Sequence, residues 1–197
     1  MAWVNRLRGL LGGKHQECKI CIVGIANSGK STLMVQLKPA QVPMVRLTPM
    51  LPLCRFKAEK FHSQSLTFVA FDLGEQTGFG NPWEDYFRDC HAIIFVVDCS
   101  DRYGMIVVEE QLEKMLQNPL VRQRKIPVLF LANKMDEPGA IPSLQVASML
   151  HLDECMKEKP WHVVSSDVLT GEGLNEGFDW LSHQLRRVFK RPYTIPM

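Results

Sequence analysis

The segment from residue 24 to residue 31 constrains the fold of this chain more than any other, because it carries the spacing G-x-x-x-x-G-K-[ST] at every fixed position. It follows an apolar run at residues 18–23 and continues into residues 32–37, whose composition is typical of a helix. A strand, this loop and a helix in that order are the setting of a phosphate-binding loop. Backbone N–H groups and the positive end of the helix dipole then attract phosphate oxygens.

Phosphate chemistry assigns a role to individual residues of this loop. Lys30 places a cation on the outer phosphates, and the Ser31 hydroxyl is a candidate ligand of Mg²⁺. The alternative is a chance glycine turn between a strand and a helix, which the flanking sequence disfavours. We therefore expect the nucleotide contacts of the loop to come from Gly24, Ala26, Asn27, Ser28, Gly29, Lys30, Ser31 and Thr32.

Length and composition limit the class of protein. A chain of 197 residues is expected to form one domain with a full core. The net charge is only +2, so we expect no nucleic-acid partner. No apolar run reaches the length of a membrane span. There are 6 cysteines, which we predict to be reduced and mostly in the core of a cytosolic protein: Cys18, Cys21, Cys54, Cys90, Cys99 and Cys155.

Apolar runs and helical periods alternate along the chain, which predicts an α/β fold with a mostly parallel six-stranded sheet and helices on both faces. Residues 38–55 are rich in proline and show no period, so we predict a long surface loop there. The predicted strands span residues 18–23, 56–61, 66–71, 91–98, 126–132 and 161–164. The predicted helices span residues 32–37, 83–88, 103–116, 143–150 and 172–190, with Val107, Leu112, Met115 and Leu116 on the inner face of the third.

Two polar motifs follow predicted strands, and ligands bind at that end of a parallel sheet. Asp72 ends the strand beside the phosphate loop, where a carboxylate usually holds the water shell of Mg²⁺. Asn133, Lys134 and Asp136 lie in an N-K-x-D segment after the fifth strand. Asp136 can accept hydrogen bonds from both N1–H and the 2-amino group of guanine, whereas adenine lacks that pair of donors. Asn133 would tie this segment to the phosphate loop, and the stem of Lys134 would cover the base.

The first thirteen residues predict an amphipathic helix. Trp3, Leu7, Leu10 and Leu11 fall on one face, and glycines at residues 12 and 13 end the helix. Such a helix can lie in a membrane interface through residues 1–11 or dock on its own domain, and the sequence favours neither. Because residue 2 is Ala2, the signal for N-myristoylation is absent.

In this order the phosphate loop, Asp72 and the N-K-x-D segment resemble a small GTPase, and finer features resemble the Arf-like group. These features are the N-terminal amphipathic helix, a D-x-x-x-Q segment after the second hairpin strand, and G-E-G-L at residues 171–174. Further stretches similar to the group lie at residues 27–30, 37–39, 59–61, 92–96, 126–130, 159–162 and 176–181. The resemblance covers nearly the entire chain.

The resemblance implies a P-loop small GTPase G domain at residues 14–191, an N-terminal amphipathic helix at residues 1–13 and a tail at residues 192–197. It implies GTP or GDP with Mg²⁺ as ligands, Ser165 and Ser166 at a second guanine-contacting loop, and Gln76 as the residue that orients the attacking water. It also implies a cytosolic, peripherally membrane-bound protein whose GTP form recruits a coat-like cargo complex, the BBSome, at the cilium or ciliary base. We expect a monomer.

The chain departs from the group where the third phosphate would be sensed. Leu53 stands where the group has a threonine that ligates Mg²⁺, and Thr48 is the nearest upstream hydroxyl. Glu75 replaces the glycine whose N–H contacts the third phosphate, which adds bulk and negative charge. These changes leave three alternatives open. The chain is an Arf-like protein with slow or no hydrolysis, a GDP-locked or nucleotide-independent scaffold, or an ordinary switch in which Thr48 restores the contact.

Overall fold

The computed structural model describes residues 18–47, 58–63, 66–73 and 84–190. The predicted N-terminal helix at residues 1–13 and the tail at residues 192–197 therefore lie outside the described residues, and the predicted G domain at residues 14–191 is described in part. The same holds for four predicted site or switch residues, namely Thr48, Leu53, Glu75 and Gln76.

One sheet of seven strands forms the centre of the fold, in the order β2-β3-β4-β1-β5-β6-β7. Strands β1, β4, β5, β6 and β7 run parallel, whereas β3 pairs antiparallel with both β2 and β4. The strands are β1 Cys18–Gly24, β2 Val45–Leu47, β3 Ala58–Ser63, β4 Leu66–Asp72, β5 Ala92–Asp98, β6 Val128–Asn133 and β7 Trp161–Ser165. The mostly parallel α/β sheet predicted from the sequence is thus confirmed.

The sheet has one strand more than predicted, because β2 lies inside the segment expected to be a surface loop. This strand is only three residues long and pairs Val45 with Lys60 at the edge of the sheet. Val45 is 49 % exposed and Arg46 is exposed as well, so these two residues show no alternation of buried and exposed positions. Its hydrogen bonds with β3, rather than its own composition, make it a strand.

Helices cover both faces of the sheet. They are α1 Lys30–Leu37, α2 Glu84–Arg88, α3 Met105–Gln117, α4 Pro119–Arg122, α5 Ser143–Met149, α6 Leu152–Cys155 and α7 Leu174–Lys190. The four-residue helices α4 and α6 were not predicted, since a single turn leaves no periodic signal. Across the described ranges, no helix combines the length and apolar character needed to span a bilayer.

Two apolar layers fill the space between the sheet and its helices. One contains Phe95 and Phe130 with the inner face of α3, and the other contains Phe68 with the inner faces of α1 and α7. Cys21 belongs to the first layer and Cys18 to the second, so these two cysteines face opposite sides of β1 as the strand period requires. They cannot share a metal ion from those positions.

The inner face of α3 differs in one position from the prediction. Val108 is buried, whereas Val107 is 44 % exposed, so the predicted face is wrong at this position and Val108 packs inward instead. Leu112 and Met115 are buried as predicted. Helix α3 begins at Met105 rather than at residue 103.

The cysteines in the described ranges are free thiols, as predicted. Cys18, Cys21, Cys90 and Cys99 are buried, whereas Cys155 at the end of α6 is exposed. Burial, together with the negative charge of Asp98, raises the pKa of the Cys99 thiol to about 12. These buried thiols therefore act as small apolar core residues.

Candidate functional site

The phosphate loop and Asp72 meet at the carboxyl ends of two adjacent strands. Strand β1 ends at Gly24, which pairs in register with Asp72 at the end of β4. The N–H of Leu73 donates to the carbonyl of Gly24 at 3.0 Å and continues this pairing past the strand. Sheet registry therefore fixes the predicted Mg²⁺ carboxylate beside the start of the loop.

Two glycines shape the loop at points where a side chain could not fit. Gly29 has φ +106° at the start of α1, in a region that favours glycine. A Cβ atom on Gly29 would lie 2.4 Å from Nδ2 of Asn133, and one on Gly24 would lie 2.4 Å from the carbonyl oxygen of Val96. The phosphate loop is thus packed directly against Asn133 of the N-K-x-D segment.

Lys30 is buried at the first position of α1 with only 7 % of its surface exposed. Its ammonium group donates to the carbonyl of Ile25 at 2.5 Å and to the hydroxyl of Ser28 at 3.3 Å, and forms an ion pair with the carboxylate of Asp72. A lysine is held in this buried place only because carbonyl, hydroxyl and carboxylate oxygens compensate its charge. The same ammonium is therefore in position for phosphate oxygens.

A cavity of about 310 Å³ lies over this ion pair. The described residues that line it include several predicted site residues: Asn27, Gly29, Lys30, Ser31, Thr32 and Asp72. Ser31 is exposed toward solvent at the helix start, whereas Ser28 is fully buried beneath the loop. Ala26 is exposed and is not among the lining residues.

Glu59 also lines this cavity, and the sequence did not identify it as a site residue. It lies on β3 opposite Ala70 of β4, and its carboxylate is 3.7 Å from Nε of Arg46 on β2. The signal that could have revealed it is the antiparallel hairpin, whose register carries a β3 carboxylate back beside Asp72. Glu59 therefore adds a second carboxylate to the phosphate end of the site.

Asn133 joins three loops at the base end of the site. Its Nδ2 donates to the carbonyl of Ser28 at 2.8 Å, and its Oδ1 accepts from the N–H of Val168 at 3.0 Å. Asn133 is 1 % exposed, so both bonds are shielded from water. The structure thus places the link between the phosphate loop and the N-K-x-D segment that the sequence predicted.

Lys134 is held by a carboxylate that sequence reasoning missed. Its ammonium lies 2.5 Å from Oδ2 of Asp98, at the end of β5, and its own backbone has φ +63°. Burial opposes ionisation of Asp98, but hydrogen bonds from Lys134 and from the Ser100 hydroxyl and N–H outweigh it and lower the pKa of this carboxyl. Asp98 therefore stays charged and orients the side chain predicted to cover the base.

The acceptor and the second loop complete the base end. Asp136 is exposed, and none of the described residues forms a hydrogen bond or ion pair with its carboxylate. Ser166 is buried, and its carbonyl accepts from the N–H of Met135 at 3.2 Å. Ser165 is exposed and donates from its hydroxyl to that of Ser143 at 2.9 Å. The two predicted guanine loops are therefore adjacent.

These observations fit a guanine nucleotide with Mg²⁺. The cradle that would hold phosphates contains a buried lysine beside a carboxylate, and the base end offers a carboxylate without a protein partner in the described ranges. The third-phosphate contacts at Leu53, Glu75 and Gln76 lie outside the described residues, so their roles stay predictions.

Comparison with known proteins gives a consistent result. The model of the ADP-ribosylation factor family matches residues 4–185. ADP-ribosylation factor-like protein 6 from Danio rerio is 41% identical over 94% of this chain and 98% of its own length. The protein of the same name from Caenorhabditis elegans is 34% identical over 98% of this chain and 100% of its own length.

A solved structure shares the fold as well. The Arl6 BBS3 small GTPase from Trypanosoma brucei, solved with the bound nucleotide analogue GppNp, has a TM-score of 0.70 and 34% sequence identity. The alignment covers 87% of this chain and 99% of that one. Together with the phosphate loop and the two guanine loops, these similarities show that this chain belongs to the ADP-ribosylation factor family of small GTPases.

Proposed function

We propose that this chain is a guanine-nucleotide-binding Arf-like protein whose GTP form recruits a coat-like cargo complex, similar to the BBSome, in membrane and ciliary trafficking. Its intrinsic GTP hydrolysis is slow or absent. The observation that carries the nucleotide part is the pair of hydrogen bonds through which Asn133 joins the phosphate loop to both guanine loops. The similarity to ADP-ribosylation factor-like protein 6 supports the trafficking part.

At the phosphate end, Lys30 and the loop amides hold the phosphates, and Ser31 and Asp72 hold Mg²⁺. Bound Mg²⁺ supplies positive charge that neutralises the phosphate oxygens. Lys30 and Asp72 form an ion pair, so the groups assigned to the phosphates and to Mg²⁺ lie side by side.

At the base end, Asp136 accepts the two guanine donors and Asn133 fixes the distance between base and phosphates. Lys134 lies over the base plane with its ammonium held by Asp98. Adenine would leave the Asp136 carboxylate without its hydrogen bonds, which is the stronger form of discrimination.

Slow hydrolysis is inferred from the residues around the third phosphate. Gln76 is the residue that would orient water, but Glu75 stands where the group has a close-approaching glycine. Two like charges about 4 Å apart cost on the order of 4 kcal/mol at an effective dielectric constant near 20. Single-turnover GTP hydrolysis of the wild type and of Glu75→Gly tests this, and a rate that does not rise in the variant would contradict it.

A GDP-locked scaffold is the second candidate function, and Glu59 favours it. Asp72 is paired with Lys30, whereas the carboxylate of Glu59, 3.7 Å from the exposed Arg46, adds a negative charge to the cavity in which a further phosphate would lie. In this candidate the fold keeps GDP as a structural ligand and does not switch.

One titration separates the two functions. Nucleotide-free protein is titrated by calorimetry with GDP and with a non-hydrolysable GTP analogue, each with and without Mg²⁺. Tight binding of both, with the analogue tightened by Mg²⁺, supports the switch. Tight binding of GDP alone supports the scaffold, and binding of neither would refute the proposed function.

Membrane contact and location are part of the same proposal. Residues 1–11 provide a weak, reversible peripheral contact through the apolar face of the predicted helix. Flotation of the full chain and of a variant lacking residues 1–13 with liposomes, in GDP and in the GTP analogue, tests the contact. Imaging of the tagged full chain in ciliated cells tests the location at the cilium or ciliary base.

A further inference from the structure

A second cavity, of about 320 Å³, lies at the amino ends of the parallel strands, on the edge of the sheet opposite the phosphate loop. His91 precedes β5, Pro127 precedes β6 and Pro160 precedes β7, and all three line it. Arg187 and Val188 of α7 close it from the side. We call this cavity the amino-edge pocket. Since β5 has seven residues, it lies roughly 20 Å from the nucleotide site.

The charged side chains that line the amino-edge pocket are basic. They are Arg124, Lys125 and Arg187, and no Asp or Glu from the described ranges lines the pocket with them. Two carboxylates lie within two residues of lining residues, and each has a cationic partner. Glu158 is 3.9 Å from Lys125 in an exposed pair, and Asp89 is paired with Lys19 at 3.1 Å.

The charge of Arg124 is held by neutral groups. Its guanidinium donates to the carbonyls of Phe87 and Arg88 at 2.8 and 3.0 Å and to that of Cys90 at 2.5 Å. These carbonyls satisfy N–H donors without supplying a negative charge. Arg124 is thereby fixed in place as a source of positive potential.

A second cation behind the pocket is held in the same way. The ammonium of Lys159, next to Pro160, donates to the carbonyls of Val121, Arg122 and Arg124 at 2.6, 3.3 and 2.5 Å. Burial, and then the charge of Arg124, lower the pKa of Lys159, so the two cations repel each other across this region. An anion in the pocket would relieve that repulsion.

We propose that the amino-edge pocket binds a phosphate monoester, with the phosphate on Lys125 and Arg187 in the field of Arg124. A phosphate monoester carries about −1.5 to −2 charges at neutral pH. Such a ligand therefore matches a pocket with several cations better than a ligand with a single carboxylate does. Ile126, Pro127 and Val188 give the pocket an apolar wall for the body of the ester. The volume lies at the lower end of ligand pockets, which are about 300–1,000 Å³.

The test uses two sources of the same chemical group. Full-length protein saturated with GDP is titrated with glycerol 3-phosphate, and it is also floated with phosphatidylcholine vesicles with and without phosphatidic acid, whose headgroup is that monoester. The glycerol 3-phosphate titration is repeated without GDP, so that a loss of nucleotide binding is distinguished from a loss of ester binding in the amino-edge pocket. Binding of the soluble ester alone indicates a free metabolite, and binding of the vesicles indicates a lipid headgroup.

Arg187→Gln is the test variant, and Arg186→Gln is its matched control. Both arginines are exposed neighbours on α7, but only Arg187 lines the pocket. Arg187→Gln should weaken binding of the effective probe about tenfold, because a charge-assisted hydrogen bond is lost, whereas Arg186→Gln should leave it unchanged. Absence of binding to both probes, or an equal loss in both variants, would overturn the proposal.

Discussion

The two edges of the central sheet handle positive charge in opposite ways. At the carboxyl edge, Lys30 and Lys134 each contact a carboxylate, Asp72 and Asp98 respectively. At the amino edge, Arg124 and Lys159 donate to backbone carbonyls instead. The first arrangement stabilises each cation in a defined position, whereas the second leaves positive potential uncompensated.

This difference indicates that the two edges of the sheet suit two different kinds of binding site. A site that must be ordered before its ligand arrives benefits from internal ion pairs, because each side chain already has a partner. A site that attracts an anion over a distance benefits from cations held by neutral groups. The following changes test this contrast, and they are ordered from the largest expected effect to the smallest.

Asp136→Asn should change base selectivity strongly without changing the fold. The amide presents a donor to one of the two guanine donors, so GDP should bind about 100-fold more weakly or worse. Xanthine has a carbonyl where guanine has its 2-amino group, so xanthosine diphosphate should gain affinity. Competition calorimetry measures both.

Glu137→Gln is the control for that variant, because it removes an exposed carboxylate from the next position. It should leave GDP affinity nearly unchanged. If both variants weaken GDP equally, the effect is general electrostatics and Asp136 is not the base acceptor.

Asn133→Ala should destabilise the protein by roughly 2–4 kcal/mol, because the carbonyl of Ser28 and the N–H of Val168 both lose a buried partner. Urea unfolding of the GDP-free protein measures this. Gln36→Ala, which removes an exposed hydrogen bond to the carbonyl of Leu169, is the control and should cost under about 0.5 kcal/mol. Equal costs would mean that the three loops are not joined through Asn133.

Asp98→Asn should reduce the acid sensitivity of the carboxyl edge. The folded-state pKa of Asp98 is lowered by Lys134 and Ser100, so its stabilisation is fully present above the unfolded value near 3.9 and is lost as pH falls below about 4. The variant should cost on the order of 1–3 kcal/mol at pH 7 and lose less stability on acidification. Unfolding measured between neutral pH and pH 3 checks this, and parallel curves for both proteins would refute it.

Lys159→Met should change the pH dependence in the alkaline range, at the amino edge, with the smallest effect. The folded-state pKa of Lys159 is lowered, so the wild type gains stability as pH rises through that value toward the unfolded value near 10.4. The variant should lack this increment. Cys99, whose pKa burial raises to about 12, opposes the gain equally in both proteins and cancels in the difference. A wild-type slope no steeper than that of the variant contradicts the prediction.

The sequence predicted the parts of this molecule that depend on local pattern. The phosphate loop and the buried strands follow from spacing and periodicity. The last predicted helix also has apolar residues at helical spacing, and the structure buries four of them: Leu174, Phe178, Leu181 and Leu185. Strand β2 escaped prediction because its pairing with β3 is a long-range property. The same reason explains why Glu59 and Asp98 were missed.

These two carboxylates acquire their roles only through tertiary contacts. Asp98 ends a buried strand, and its partner Lys134 lies 36 positions later in the sequence. Nothing near Asp98 in the sequence indicates that the two side chains come within 2.5 Å of each other. Glu59 reaches the phosphate cavity because the β3–β4 register folds it back beside Asp72. Sequence motifs therefore located the residues expected to touch the ligand better than the residues that position them.

The close packing of Gly29 against Asn133 has a consequence for nucleotide release. The start of α1, the phosphate loop and both base loops all meet at Asn133, which packs against Gly29 and bonds to Ser28 and Val168. A force that lifts the phosphate loop also pulls the Asn133 amide away from Val168, and the base end loosens with it. We therefore expect nucleotide release to proceed through one concerted opening, which a factor bound at only one end of the site could accelerate.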